Sequence, residues 1–261
     1  MIAPTITLDG HVLNDSFAVS GIKRWFPSSR VTYDELDGRN GAVATSYAIG
    51  TRTVEFTLWA FGSDHGALRF ALSQVVAWLY SATTHVLTFS DEDGFYRNVI
   101  LDGEPQLDEY DERASLSVQL IQTDPYLYGE TRQYDLTPDR ITRVYIGTTA
   151  PPIIRIMCDE AQRNASSRMW GVSLGDGLAY LYVILPTAQS TAVVIDCDKR
   201  HVTIGGQNAM LTLNSDWPEE TDLNPAAGAT ALNRYGGQGL LAVTLNQGTG
   251  TATVEVVERR I

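Results

Sequence analysis

The sequence predicts a mainly β protein of two domains, the first carrying one α-helix. Three observations predict it. Apolar residues alternate with polar ones along many short segments, as half-buried strands require. Asp-Gly, Asn-Gly and Gly-Gly pairs separate those segments. One stretch alone keeps the helical period.

The elements follow in chain order. At Thr53–Leu58, Val54, Phe56 and Leu58 share one parity, and Thr53, Glu55 and Thr57 the other. Turn signals stand at Asp37-Gly38, Asn40-Gly41, Asp93-Gly94, Gly175-Asp176-Gly177 and Gly205-Gly206. In DHGALRFALSQVVAWLYSA the residues Leu68, Leu72, Val75, Val76 and Leu79 form one helical stripe, so a helix is expected over about 64–82. Ser63 or Asp64 caps its start. Arg69 and Ser73 fall off the stripe, Phe70 on the far face and Trp78 on its shoulder. The two aromatics are either isolated apolar residues of a monomer or contacts to a neighbouring subunit. Alternation resumes at Ala114, Leu116, Val118 and Leu120, then at Val193–Ile195, at Leu241, Val243 and Leu245, and at Ala252, Val254 and Val256. The Gly-Asp-Gly between WGVSL and LAYLYVIL marks a hairpin.

A chain of 261 residues is long enough for two cores. Pro151 and Pro152 cannot both serve a ladder. The boundary is placed near 140, giving domains 1–140 and 141–261. No apolar run approaches the ~20 residues of a spanning helix, and MIAPTITLDG carries no export signal. No membrane association is expected.

Net charge is −12, with 20 acidic against 10 basic residues in 1–140 and 11 against 9 in 141–261. That balance opposes binding to phosphate backbones and to anionic lipid. Cys158 and Cys197 form no metal-ligand or redox pattern, and either a disulfide or two half-buried thiols fits them. His11, His65, His85 and His201 are scattered, and no nucleophile elbow, zinc-protease or phosphate-loop motif occurs. No enzyme activity, cofactor or metal is expected. Trp170, Tyr180, Tyr182, Trp217 and Tyr235 keep open the alternative of a carbohydrate-binding module in the C-terminal half.

The segment QTDPYLYGE follows directly on an alternating strand. Pro125 stops ladder pairing, Asp124 accepts from nearby backbone in an Asx turn, and Tyr126 and Tyr128 each bring an apolar body and a hydroxyl. The strand running into Asp-Pro-Tyr-x-Tyr-Gly resembles the end of the N-terminal domain of siphophage distal tail proteins (Dit). YDELDGRNGAVATSYAIGTRTVEFTLW resembles that family's Asp-Gly-Arg-x-Gly loop and following strand. VLTFSDEDGFYRNVIL, PPIIRI, VVIDCDKRHVTIGGQNAML and WPEETDLNPAAGATAL are similar to later family segments in the same order. The last departs from the family's Pro-Gly-x-Asn, since Pro225 is separated from Gly228 and Thr230 stands at the Asn position.

The resemblance implies a structural protein of the virion tail tip, assembled in the bacterial host cytoplasm. It implies a homohexameric ring built by the N-terminal domain, a β-sandwich with one α-helix, and a galectin-like C-terminal β-sandwich without an inserted carbohydrate-binding domain. The ring would join the tail tube protein, the tape-measure protein and the tail-tip or tail-associated protein. Genomic DNA would pass through the lumen without specific binding. Asp91, Glu92, Asp93, Asp108, Glu109, Asp111 and Glu112 are candidates to line that lumen, because carboxylates repel phosphate, although such runs also simply face water. Phe70 and Trp78 are candidates for the subunit interface.

Overall fold

A computed structural model describes residues 4–35, 40–80, 84–110, 112–138, 140–147, 150–163, 166, 168–175, 179–186, 190–213, 215–218 and 240–260. The chain divides into two compact units, Met1–Leu127 and Tyr128–Ile261. The division falls at the Asp-Pro-Tyr segment, ahead of the expected boundary near 140. Pro125 cannot continue the ladder, so the first unit ends there.

The first unit comprises β1 (Ile6–Leu8), β2 (His11–Val12), a one-turn helix α1 (Leu13–Ser16), β3 (Ala18–Arg24), β4 (Ser29–Glu35), β5 (Ala42–Ile49) and β6 (Arg52–Phe61). The main helix α2 (His65–Leu79) follows, then β7 (His85–Phe89), β8 (Tyr96–Leu101), β9 (Gln106–Tyr110) and β10 (Arg113–Gln122). All pairings are antiparallel: β2 with β1, β1 with β7, β7 with β8, β8 with β10, β10 with β6, and β6 with β3, while β9 pairs with the other end of β10. Val54, Phe56 and Leu58 of β6 are buried, as are Ala114, Leu116, Val118 and Leu120 of β10. The alternation of both strands therefore has one dry face.

Helix α2 closes that core with Leu68, Leu72, Val75 and Leu79. Asp64 caps it by accepting from the Ala67 N–H at 2.8 Å. Val76, expected on the buried stripe, is 45% exposed. It follows Val75 by ~100° around the axis, and a helix lying on a sheet buries a stripe too narrow to hold both.

The second unit comprises β11 (Leu127–Leu136), β12 (Ile141–Tyr145), β13 (Ile153–Ala161), β14 (Met169–Leu174), β15 (Ala179–Ile184), β16 (Thr191–Asp196), β17 (His201–Ile204), β18 (Gln207–Ala209), β19 (Leu240–Gln247) and β20 (Ala252–Arg260). One sheet runs β18-β17-β16-β13-β20-β11 and the other β12-β19-β14-β15. Their inner faces share one core: Ile154, Ile156, Val193, Ile195, Val254 and Val256 meet Val144, Trp170, Val172, Leu181, Val183 and Val243. This is a β-sandwich. The hairpin expected around Gly-Asp-Gly is β14–β15, paired from Met169↔Ile184 to Leu174↔Ala179. Gly171 is required there: an added Cβ would lie 2.3 Å from the Leu181 carbonyl oxygen.

Cys158 and Cys197 are both buried and free. Burial, with Asp196 and Asp198 nearby, pushes the Cys197 thiol up to about 12. Neither is a reactive thiolate.

Candidate functional site

The β4–β5 hairpin of the first unit is exposed along nearly its whole length. Its strands pair with each other from Ser29↔Ile49 to Glu35↔Ala42, with a register shift at Thr32/Tyr33. Among the described residues they form a two-stranded sheet with no third strand. Only Val31 and Ile49 are half-buried; every other residue of the pair is exposed. Val43, Tyr33 and Tyr47 are 47%, 61% and 69% exposed, and Trp25 and Phe26 just before the hairpin 53% and 89%.

The base of the hairpin is fixed while its length is not. The Trp25 N–H donates to the Thr53 carbonyl at 3.1 Å, that of Ser28 to Thr51 at 3.2 Å, and that of Gly50 to Ser28 at 2.6 Å. At Gly50 a Cβ would meet the Ser28 hydroxyl at 2.2 Å, so a larger residue there requires the Ser28 side chain to turn away. A lone two-stranded ribbon is marginal in water, and its unpaired edges invite another chain. The Asp37-Gly38 turn signal lies outside the described residues. Sequence reasoning read this stretch as a loop and a strand and missed the hairpin. Two turn signals, Asp37-Gly38 and Asn40-Gly41, between alternating runs were the available cue.

The two candidate interface aromatics on α2 differ. Phe70 is 66% exposed. Trp78 is half-buried, stacked on the His11 ring at 5.0 Å and set edge-on to Phe17 at 6.3 Å. Trp78 thus packs within its own unit, and changing it would perturb the monomer as well as any contact.

The strand register places the two acidic runs at opposite ends of β10. Arg113–Ser117 pairs with β9, whereas Leu120 and Ile121 pair with the last residues of β8. Asp91, Glu92 and Asp93 therefore lie beyond the Gln122 end, and Asp108, Glu109 and Glu112 lie at the Arg113 end. Asp111 is outside the described residues. Asp91 accepts from Arg24 at 2.6 Å, and that hydrogen bond lowers the Asp91 pKa against burial. Glu92 accepts from Arg24 at 2.9 Å and Arg97 at 2.5 Å. Glu109 accepts from Arg69 at 2.9 Å. Asp93, Asp108 and Glu112 are exposed.

At the strand exit the Asp124 carboxylate accepts from the Tyr126 N–H at 3.0 Å, the expected Asx turn. The Gln122 side-chain amide donates to the Tyr126 carbonyl at 2.6 Å, so the turn after Pro125 is held from both sides. Tyr126 is half-buried and Tyr128 buried.

In the second unit, Trp170 is fully buried in the core, which removes it from any sugar-stacking surface. Trp217 packs half-buried against the same core, and Tyr235 lies outside the described residues. Tyr180 and Tyr182 stack at 5.9 Å, and the Tyr182 hydroxyl accepts from the Asn246 amide at 2.9 Å. Of the histidines, His85 is buried, with Nδ1 2.5 Å from Asp9 and Nε2 3.3 Å from the Leu79 carbonyl. That is a structural tie between β1 and the end of α2.

Comparison with known proteins matches the two units to two phage tail domain families. Residues 11–121 match the phage tail protein RIFT-related domain family, and residues 148–233 match the siphovirus-type tail component, C-terminal domain family. The distal tail protein of Bacillus phage SPP1 is 25% identical over 219 residues, covering 82% of this chain and 85% of that one. The crystal structure of SPP1 Dit, described as a paradigm of the hub adsorption apparatus in phages infecting Gram-positive bacteria, superposes with a TM-score of 0.75 at 20% identity over the whole of both chains. A chain of the phage P2 baseplate in its activated conformation with Ca superposes with a TM-score of 0.54 at 12% identity, over 99% of this chain and 98% of that one. Two tail-component domains in this order on a mainly β frame define a structural component of a phage tail. The chain belongs to the siphophage distal tail (Dit) family.

Proposed function

We propose that six copies of this chain form a ring at the tail tip, built by the first unit. In this reading the ring joins the tail tube and tape-measure proteins to the tail-tip apparatus, assembles in the host cytoplasm and performs no catalysis. The observation that carries it is the β4–β5 hairpin, a ribbon anchored at its base and exposed along its length. An exposed ribbon with aromatic side chains and two free edges gains stability only when another chain covers it. A ring needs one surface to meet a different one on the next copy, and a hairpin reaching onto a neighbour supplies that asymmetry. Membership of the distal tail family supports the same reading. The exposed carboxylates Asp93, Asp108 and Glu112 are assigned to the lumen, where they keep passing DNA from adhering. In this reading the first unit would form the ring and the second would project from it as the galectin-like sandwich.

Mass measurement of the full chain by native mass spectrometry or sedimentation, alone and with its neighbouring tail proteins, tests the proposal. A six-copy species that disappears in the double variant Tyr33→Asp/Tyr47→Asp is the expected result. A chain that stays monomeric beside every tail neighbour would refute it.

A further inference from the structure

Three arginines converge at the Gln122 end of β10. Arg24 ends β3, Arg52 begins β6, and Arg97 is the second residue of β8. The register brings them together: Arg24 lies opposite Val54, and Arg52 opposite Gln122. Arg24 and Arg97 both sit over the Phe89 ring, at 4.8 and 4.9 Å. Asp91 and Glu92 neutralise two of the three charges.

What remains is an unmet demand for a partner. Arg52 and Arg97 are only 8% and 3% exposed. Nε and Nη2 of Arg52, and Nε and Nη1 of Arg97, are buried without any hydrogen-bond acceptor. The Gln122 Oε1 atom is a buried acceptor without a donor, its amide nitrogen being held by Tyr126. Folded proteins rarely leave such groups unmatched, because each costs its full desolvation. Burial and then the neighbouring Arg97 charge push the Arg52 pKa down, and the nearby Glu92 charge offsets them only in part. All three arginines, Gln122 and Glu92, the last already paired with Arg24 and Arg97, line a cavity of about 230 Å³, whose apolar wall is Trp25, Phe26 and Val54.

The geometry points to a pocket for a peptide-borne carboxylate, an Asp or Glu side chain with an adjoining backbone N–H, supplied by a second copy of this chain. One spare positive charge matches one carboxylate, and a guanidinium fork accepts it bidentately. A phosphate dianion would bring excess charge against Glu92 and gain nothing from the apolar wall. The unmatched Gln122 oxygen calls for the N–H that a peptide acid carries and an inorganic anion lacks. The pocket opens at the base of the hairpin, beside exposed Trp25 and Phe26, and the chain's charge of −12 makes surface acids such as Asp34 and Glu35 abundant on every copy. That the donor is a second copy rests on the proposed ring; the carboxylate chemistry of the pocket does not.

The test uses the full chain and N-acetylglycine, which carries one carboxylate and one amide N–H, against chloride at equal ionic strength. Wild type should gain roughly 3–6 °C in Tm at ten times the probe's Kd. Arg52→Met should lose the gain, and Arg52→Lys, which keeps charge and stem, should retain only part of it. A wild type indifferent to the probe, with Arg52→Met as stable as wild type or more so in every buffer, overturns the pocket. The source is read separately from assembly mass: Arg52→Met and added N-acetylglycine should each shrink the oligomer. Probe binding with an oligomer unmoved by either would leave the pocket standing and overturn the second copy as its donor.

Discussion

The C-terminal sandwich and the β4–β5 hairpin are built from the same material and used in opposite ways. In the sandwich, each strand's apolar parity meets an opposing sheet: β20 buries Ala252, Val254 and Val256, and β14 buries Trp170 and Val172. In the hairpin, Tyr33, Val43 and Tyr47 occupy strands of comparable length and stay open to solvent. Both regions satisfy the hydrogen bonds of their paired edges. Only the sandwich satisfies its side chains within the chain, so the hairpin's are left for another molecule. Alternation alone therefore states that a face is apolar, not what covers it.

The contrast can be broken most forcefully from the sandwich side. Trp170→Ala removes a fully buried indole and should cost about 3–5 kcal/mol, read as a lower urea midpoint. A loss under about 1 kcal/mol would mean the second core is far looser than its burial indicates. Gly171→Ala comes next. Its new Cβ meets a backbone oxygen at 2.3 Å, and opening the β14–β15 ladder to admit it should cost about 1–3 kcal/mol by the same assay.

A pH series sharpens the comparison within the first unit. Burial raises the Asp9 pKa, but the His85 hydrogen bond, the Val86 N–H and the His85 charge together outweigh it, so the net shift is down. A carboxyl with a lowered folded pKa stabilises above its unfolded value of about 3.9, and that stability is lost as pH falls through the folded value. Wild type should melt above Asp9→Asn at pH 6, and the gap should close as pH falls through the lowered Asp9 pKa, beneath the ordinary carboxylate range. A gap independent of pH would assign the effect to packing.

The smallest effect on stability is expected from the hairpin. Tyr33→Ser/Tyr47→Ser should leave the monomer within about 0.5 kcal/mol of wild type while reducing oligomer mass. If these substitutions unfold the first unit instead, the hairpin is part of its core and the contrast fails.

Much of the fold was legible locally. The strands at Thr53–Leu58, 114–120 and 252–256 followed from parity, the helix stripe from its 3.6 period and the Asx turn from Asp124-Pro125. Val76 was misplaced because the width of a buried stripe depends on the surface beneath it. Trp78 gave no sign of its His11 partner, which lies far away in sequence. The candidate acids formed one class in the sequence, yet the register of β8, β9 and β10 sends them to opposite ends of a strand and ties three of them to arginines. No spacing links Arg24, Arg52 and Arg97, since three separate strands deliver them.

By itself the sequence determined the class of fold and its turns, because period and turn chemistry act over a few residues of backbone. Which apolar faces close on each other, which ribbon stays open and which guanidinium groups meet in one pocket were decided only by strand pairing. Pairing joins residues distant in the chain, and burial is a property of the pair rather than of either residue.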